Sequence, residues 1–140
     1  MKTKILFLIS LLTTILSACS ASVSADDPLD GTSWELVALG KQPALEGTTI
    51  TISFEDGLAR GSSGCNSYGG AYQVEGEKIK FQEFESSLMD CLNPTSVMEQ
   101  ETDYLQSLAK AQSFEISDSR LLIYWSENSV LTFRPNKQDN

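Results

Sequence analysis

The segment Thr49-Ile50-Thr51-Ile52-Ser53-Phe54 constrains the fold most, because its strict alternation places Ile50, Ile52 and Phe54 on one face of an extended strand. Glu55-Asp56-Gly57 follows as a hairpin turn, and Leu58-Ala59-Arg60 returns toward a glycine-rich stretch. The same grammar recurs along the chain. Trp34 to Leu39 reads as a strand closed by Gly40-Lys41-Gln42-Pro43, and Ala71 to Val74 and Ile79 to Phe81 flank the turn Glu75-Gly76-Glu77. Ser113 to Ile116, Leu121 to Trp125 and Val130 to Phe133 add three more strands. The helical spacing of Val97, Met98, Glu101, Tyr104, Leu105 and Leu108 predicts one helix over residues 95–110. Its start is signalled by Asn93-Pro94, with Pro at the first position, or by a capping box at Ser96-x-x-Glu99. Seven or eight short strands and one helix predict an α+β domain: a small, mostly antiparallel, curved or barrel-like β-sheet with a single α-helix.

The N-terminus reads as a targeting signal. Met1 to Lys4 is a short basic region, and the apolar run Ile5 to Leu16 is too short to span a bilayer, which takes about 20 residues. Leu16-Ser17-Ala18-Cys19 then resembles a bacterial lipobox, in which the Cys thiol is acylated, with palmitate or a similar chain, and becomes the new N-terminus. Residues 1–18 are thus expected to be a lipoprotein signal peptide, 19–28 a lipidated flexible tether, 29–135 the domain and 136–140 a polar tail. Cleavage removes 18 of the 140 residues and leaves 122; Lys2 and Lys4 leave with the peptide, so eight positive and 19 negative side chains remain, a balance of −11. A cell-envelope location anchored by lipid follows, and Ser20 after the lipidated Cys favours the periplasmic face of the outer membrane if the cell is Gram-negative.

With 41% hydrophobic and 21% charged residues, the chain is neither disordered nor a multi-pass membrane protein. The acidic balance argues against nucleic acid and against adsorption on anionic lipid, so the expected partners are its own membrane, through lipid, and an envelope protein or small ligand. The chain has no His, which removes Ser-His and Cys-His nucleophile pairs and His-ligated zinc. No metal or other cofactor is expected: Asp26-Asp27-Pro28-Leu29-Asp30-Gly31 lacks the alternating ligands of a calcium loop. Once Cys19 is acylated, Cys65 and Cys91 remain; in an oxidising envelope they suggest a disulfide, with two buried thiols as the alternative.

The densest signal is Gly61-Ser62-Ser63-Gly64-Cys65-Asn66-Ser67-Tyr68-Gly69-Gly70-Ala71-Tyr72. Four glycines in ten residues suggest positive φ or close backbone packing at a bend between strands. Asn66 suits a turn or a ligand contact; Tyr68 and Tyr72 suit the core or an exposed binding strip. These three are the candidate binding residues.

Here the chain resembles the META domain (HslJ-like) family. The resemblance rests on Leu29-Asp30-Gly31-Thr32-Ser33-Trp34, Gly64-Cys65-Asn66 with Tyr68, Gly70 and Tyr72, Ser87-Leu88-Met89-Asp90-Cys91, Met98-Glu99 with Tyr104-Leu105, and Leu131-Thr132-Phe133. Ser87 stands where the family has Thr and Asp90 where it has Ala, and a charge at Asp90 argues against burial of that segment. The resemblance implies a small β-rich envelope domain with one helix, linked to stress response or antibiotic tolerance, without an assigned enzymatic activity. The expected function is a non-catalytic, membrane-anchored binding or structural module. The alternative is an envelope hydrolase or thiol enzyme using Cys65 or carboxylate pairs such as Glu83 and Glu85 or Asp118 and Glu127.

Overall fold

The structure is a computed structural model, and it describes residues 27–137. The expected signal peptide, Cys19 and all but the last two residues of the expected tether lie outside the described residues, as do residues 138–140.

Ten strands and one helix follow in order: β1 (Thr32–Leu39), β2 (Gln42–Pro43), β3 (Thr51–Glu55), β4 (Leu58–Ser62), β5 (Ser67–Glu75), β6 (Lys78–Phe81), β7 (Glu85–Ser86), α1 (Val97–Ala109), β8 (Ser113–Ser117), β9 (Arg120–Ser126) and β10 (Ser129–Pro135). Eight of them form a closed antiparallel barrel in the order β10-β9-β8-β6-β5-β4-β3-β1, shut by pairing of β1 with β10. The two-residue strands β2 and β7 are additions, paired to β1 and β5. Sequence alternation predicts neither, because two residues carry no period.

Each barrel strand sends alternate residues inward, and at eight strands the interior is narrow enough for side chains to fill. Trp34 and Leu36, Ile52 and Phe54, Ile79 and Phe81, Leu121 and Ile123, and Leu131 and Phe133 are buried pairs two residues apart, and Tyr68 and Tyr72 are buried on one face of β5 four apart. In β1 Val37 points outward in phase with the inward Trp34 and Leu36, and the pairing with β10 shifts register between Leu36 and Ala38.

Both ends of the strand bundle are stopped. At the Phe54 end of β3, the segment Asp27 to Gly31 folds across: Leu29 is fully buried, Gly31 N donates to Phe54 O at 2.8 Å, and Asp56 N donates to Asp30 Oδ1 at 2.8 Å. At the Thr51 end lies α1, whose inward stripe is Val97, Glu101, Tyr104 and Leu108. Tyr104 is fully buried and its ring meets Phe133 edge-on.

The helix begins at Val97 with Ser96 at its N-cap position, where the Ser96 signal places it and later than Asn93-Pro94 implies, but no capping box forms. Pro94 precedes it, and Ser96 has φ 72° with no side-chain cap bond. Carbonyls do the work instead: Val97 N donates to Pro94 O at 3.2 Å and Gln100 N to Ser96 O at 3.0 Å. An N-cap side chain serves the first-turn amides from an extended backbone, and Ser96 is left-handed instead.

Candidate functional site

Three segments distant in sequence converge at the Thr51 end of the barrel: the β4–β5 turn, the loop between β7 and α1, and the second turn of α1. Their meeting point is Asn66. Its backbone N donates to Glu101 Oε2 at 2.9 Å and its Nδ2 to Glu101 Oε1 at 2.8 Å. Nδ2 also donates to Met89 O at 3.2 Å, while Oδ1 accepts from Ser87 Oγ at 2.8 Å and Met89 N at 2.7 Å. A primary amide has two donor hydrogens and two acceptor lone pairs, and here all four are used. Aspartate would bring a second charge against Glu101 and lose both side-chain donors.

Glu101 is a buried carboxylate that makes no ion pair among the described residues. Burial pushes its pKa up, but donors from Ser63 Oγ, Asn66 Nδ2, Asn66 N and Cys65 N outweigh that, and the net position is below the ordinary carboxylate value. The ionised form is therefore held by hydrogen bonds alone. Two phenols lie alongside: the Tyr68 and Tyr104 hydroxyls are 2.6 Å apart, and Tyr68 Oη donates to Thr51 O at 3.0 Å. Burial is the main cause that raises both phenol pKa values, so both are neutral at physiological pH. Among the described residues, no buried side-chain polar atom lacks a partner.

Cys65 and Cys91 are joined in a disulfide, with Cα atoms 5.9 Å apart. It ties the β4–β5 turn to the loop that carries Ser87 and Met89. The glycines permit this convergence. A Cβ on Gly61 would lie 1.9 Å from Thr51 O, so β4 crosses β3 too closely for any side chain, and Gly64 turns the chain at φ 109° between Ile50 and Val97.

The sequence candidates thus occupy interior positions. Asn66, Tyr68 and Tyr72 are all buried; Tyr72 packs edge-on to Phe54, 4.8 Å between ring centres, and donates its hydroxyl to Asp27 Oδ2 at 2.6 Å. Asp27, assigned by sequence to the tether, is thereby bonded to the barrel. The leading motif is also architectural: Trp34 Nε1 donates to Thr32 Oγ1 at 2.8 Å, beside the buried Leu29. Ser87 supplies the same hydroxyl that Thr would, and Asp90 lies on an exposed loop with Leu88 and Leu92 almost fully in water, as a charge there requires. Glu83, Glu85, Asp118 and Glu127 are all exposed and belong to no such network. Among the described residues there is no cluster of potential metal ligands.

Glu101 and Ser63 are the members that sequence reasoning does not single out. The signal for Glu101 is present: it falls on the apolar stripe between Val97 and Tyr104, where a carboxylate needs a buried partner.

The family model for the META domain matches residues 27–138. No curated protein matches the chain. Among solved structures, an NMR structure of a protein from Burkholderia xenovorans is 25% identical with a TM-score of 0.64, covering 81% of this chain and 93% of that one. A second NMR structure is 20% identical at a TM-score of 0.64, covering 80% and 95%. A crystal structure of a DUF4847 family protein from Bacteroides vulgatus is 18% identical at a TM-score of 0.59, covering 80% and 97%. The last two likenesses bear on the fold alone.

Proposed function

Because this chain belongs to the META domain family, we propose that it is a non-catalytic, lipid-anchored envelope protein whose domain serves as a binding or structural module in stress or antibiotic tolerance. The observation that carries the reading is the closure of the Asn66–Glu101 network. The residues that would be the natural acid, base or polarising groups of an active site are buried and already bonded to one another. Cys65 is bonded to Cys91, which speaks against a thiolate nucleophile. The lipid anchor is supported by Leu16-Ser17-Ala18-Cys19 directly after an apolar run.

Two measurements test this. An alkyne analogue of palmitate fed to cells is expected to label the wild type and not Cys19→Ser. A strain lacking the protein is expected to lose tolerance to envelope stress and to regain it with a folded Cys65→Ser/Cys91→Ser variant. Failure of that variant, at normal abundance and in its normal membrane fraction, would favour the thiol enzyme.

A further inference from the structure

The barrel wall is weakest between β6 and β8. Those strands share one register pair, Lys78 with Ser113, whereas β5–β6 and β8–β9 share four and five. Two backbone bonds hold the junction: Ile79 N to Gln112 O at 3.2 Å and Phe114 N to Glu77 O at 2.9 Å. The end of α1 and the segment after it lie along this seam and leave a groove of about 840 Å³. Its lining includes the apolar Val74, Ile79, Ala109 and Ala111.

Lys78, Lys80 and Lys110 also line the groove. They are three of the ten cations of a chain of net charge −9, gathered at one place. None makes an ion pair among the described residues. Glu75, the one carboxylate of the lining, stands opposite Lys78 across the β5–β6 ladder, so the groove is net positive on an acidic protein.

We infer that this seam groove binds a single-chain anionic amphiphile, its acyl chain on Val74, Ala109 and Ala111 and its acid group among the three lysines. An apolar floor with a few placed polar groups, at several hundred Å³, is the usual form of a small-molecule site. The lysine stems extend the apolar floor while their ammonium groups stay in water. The occupant is a detached amphiphile and not a bilayer: the whole protein's negative charge repels an anionic surface, and a concave seam takes one chain at a time.

The inference deepens the binding reading proposed above and rests on it for its setting, but it fails separately. Acylation of Cys19 is read by palmitate labelling, and the groove by a titration of the purified protein with monomeric dodecanoate, followed by amide NMR. Shifts are expected at Val74, Ile79 and Ala109 to Gln112. Lys78→Glu/Lys80→Glu/Lys110→Glu is expected to weaken binding about tenfold or more. Ala109→Trp, which fills the groove and leaves the lysines, is expected to abolish it, with both variants retaining the wild-type melting profile. The inference is overturned if dodecanoate causes no shifts, if its shifts centre on Leu88 to Leu92, or if dodecyltrimethylammonium binds the groove equally well. It is overturned equally if an acidic peptide binds there in preference to dodecanoate, or if only anionic vesicles bind.

Discussion

Asn66 meets Glu101 through both of its nitrogens, the backbone amide on one carboxylate oxygen and the side-chain amide on the other. This two-point contact fastens α1 to the β4–β5 turn without a positive charge. Glu101→Ala strands the two Asn66 donors in a buried space, while the Ser63 hydroxyl keeps the Asn66 carbonyl as acceptor, so an unfolding free energy lower by about 3 kcal/mol is expected. Asn66→Ala should cost a similar amount, and the double variant less than the sum of the two. Additive losses in urea unfolding would show that the pair does not act as a unit.

The charge state of Glu101 makes stability depend on acid. Its folded pKa lies below the unfolded one, near 4.3 for a free Glu, so its contribution is complete above that value and is lost as pH falls through the folded pKa. Unfolding free energy is therefore expected to fall steeply below about pH 4, and Glu101→Gln should flatten that limb. An acid limb with the same slope in the variant would assign the sensitivity to other carboxylates.

At the other extreme, Tyr68 and Tyr104 have raised folded pKa values, caused first by burial. Groups shifted this way lend stability that is full below the unfolded pKa, about 10 for Tyr, and is lost as pH rises toward the folded value. Phenolate absorbance from Tyr68 and Tyr104 should therefore appear in the near ultraviolet only well above the free-Tyr value and together with loss of tertiary structure. A smooth single titration in the folded state would contradict this.

The Cys65–Cys91 bond closes a 26-residue separation. On the loop-entropy model its removal costs about 3–4 kcal/mol, so Cys65→Ser/Cys91→Ser should shift the urea midpoint down markedly. Amide exchange should accelerate first in Ser87 to Leu92, the loop that the bond pins beside Asn66.

Two glycines of one motif should differ in how they fail. Gly61→Ala sets a Cβ 1.9 Å from the Thr51 carbonyl oxygen, which the barrel wall relieves only by separating β3 from β4. A loss of about 3 kcal/mol or more is expected. Gly64→Ala has room around it and suffers only from its φ of 109°, for about 2 kcal/mol. Thermal unfolding of the two variants, with equal losses as the adverse result, separates the causes.

Much of this was legible in the residues. The alternation of Ile50, Ile52 and Phe54 and the turns at Gly57 and Gly76 locate four barrel strands, because local backbone geometry decides both signals. The inward fate of Asn66 was not legible. An Asn beside a Cys in a glycine-rich turn has the same local signature whether it points to water or to a carboxylate 35 residues away. Nor does any local pattern announce that β1 and β10 are neighbours, or that two residues at Gln42–Pro43 pair with β1; both depend on where the rest of the chain has already gone.

Closure by the first and last barrel strands sets the order in which the molecule can be made. Trp34 pairs with Pro135 across about 100 residues of chain, so nothing short of the entire sequence offers β1 its second partner. A chain that has not yet delivered Ser129–Pro135 presents an open sheet with an unpaired edge along Thr32–Leu39, exposed to any extended segment nearby. Contacts of such long range also form slowly, since the connecting loop must be closed before it is rewarded. Holding the chain extended until its C-terminus is delivered is therefore a requirement that the topology places on the cell, independent of what the finished barrel does.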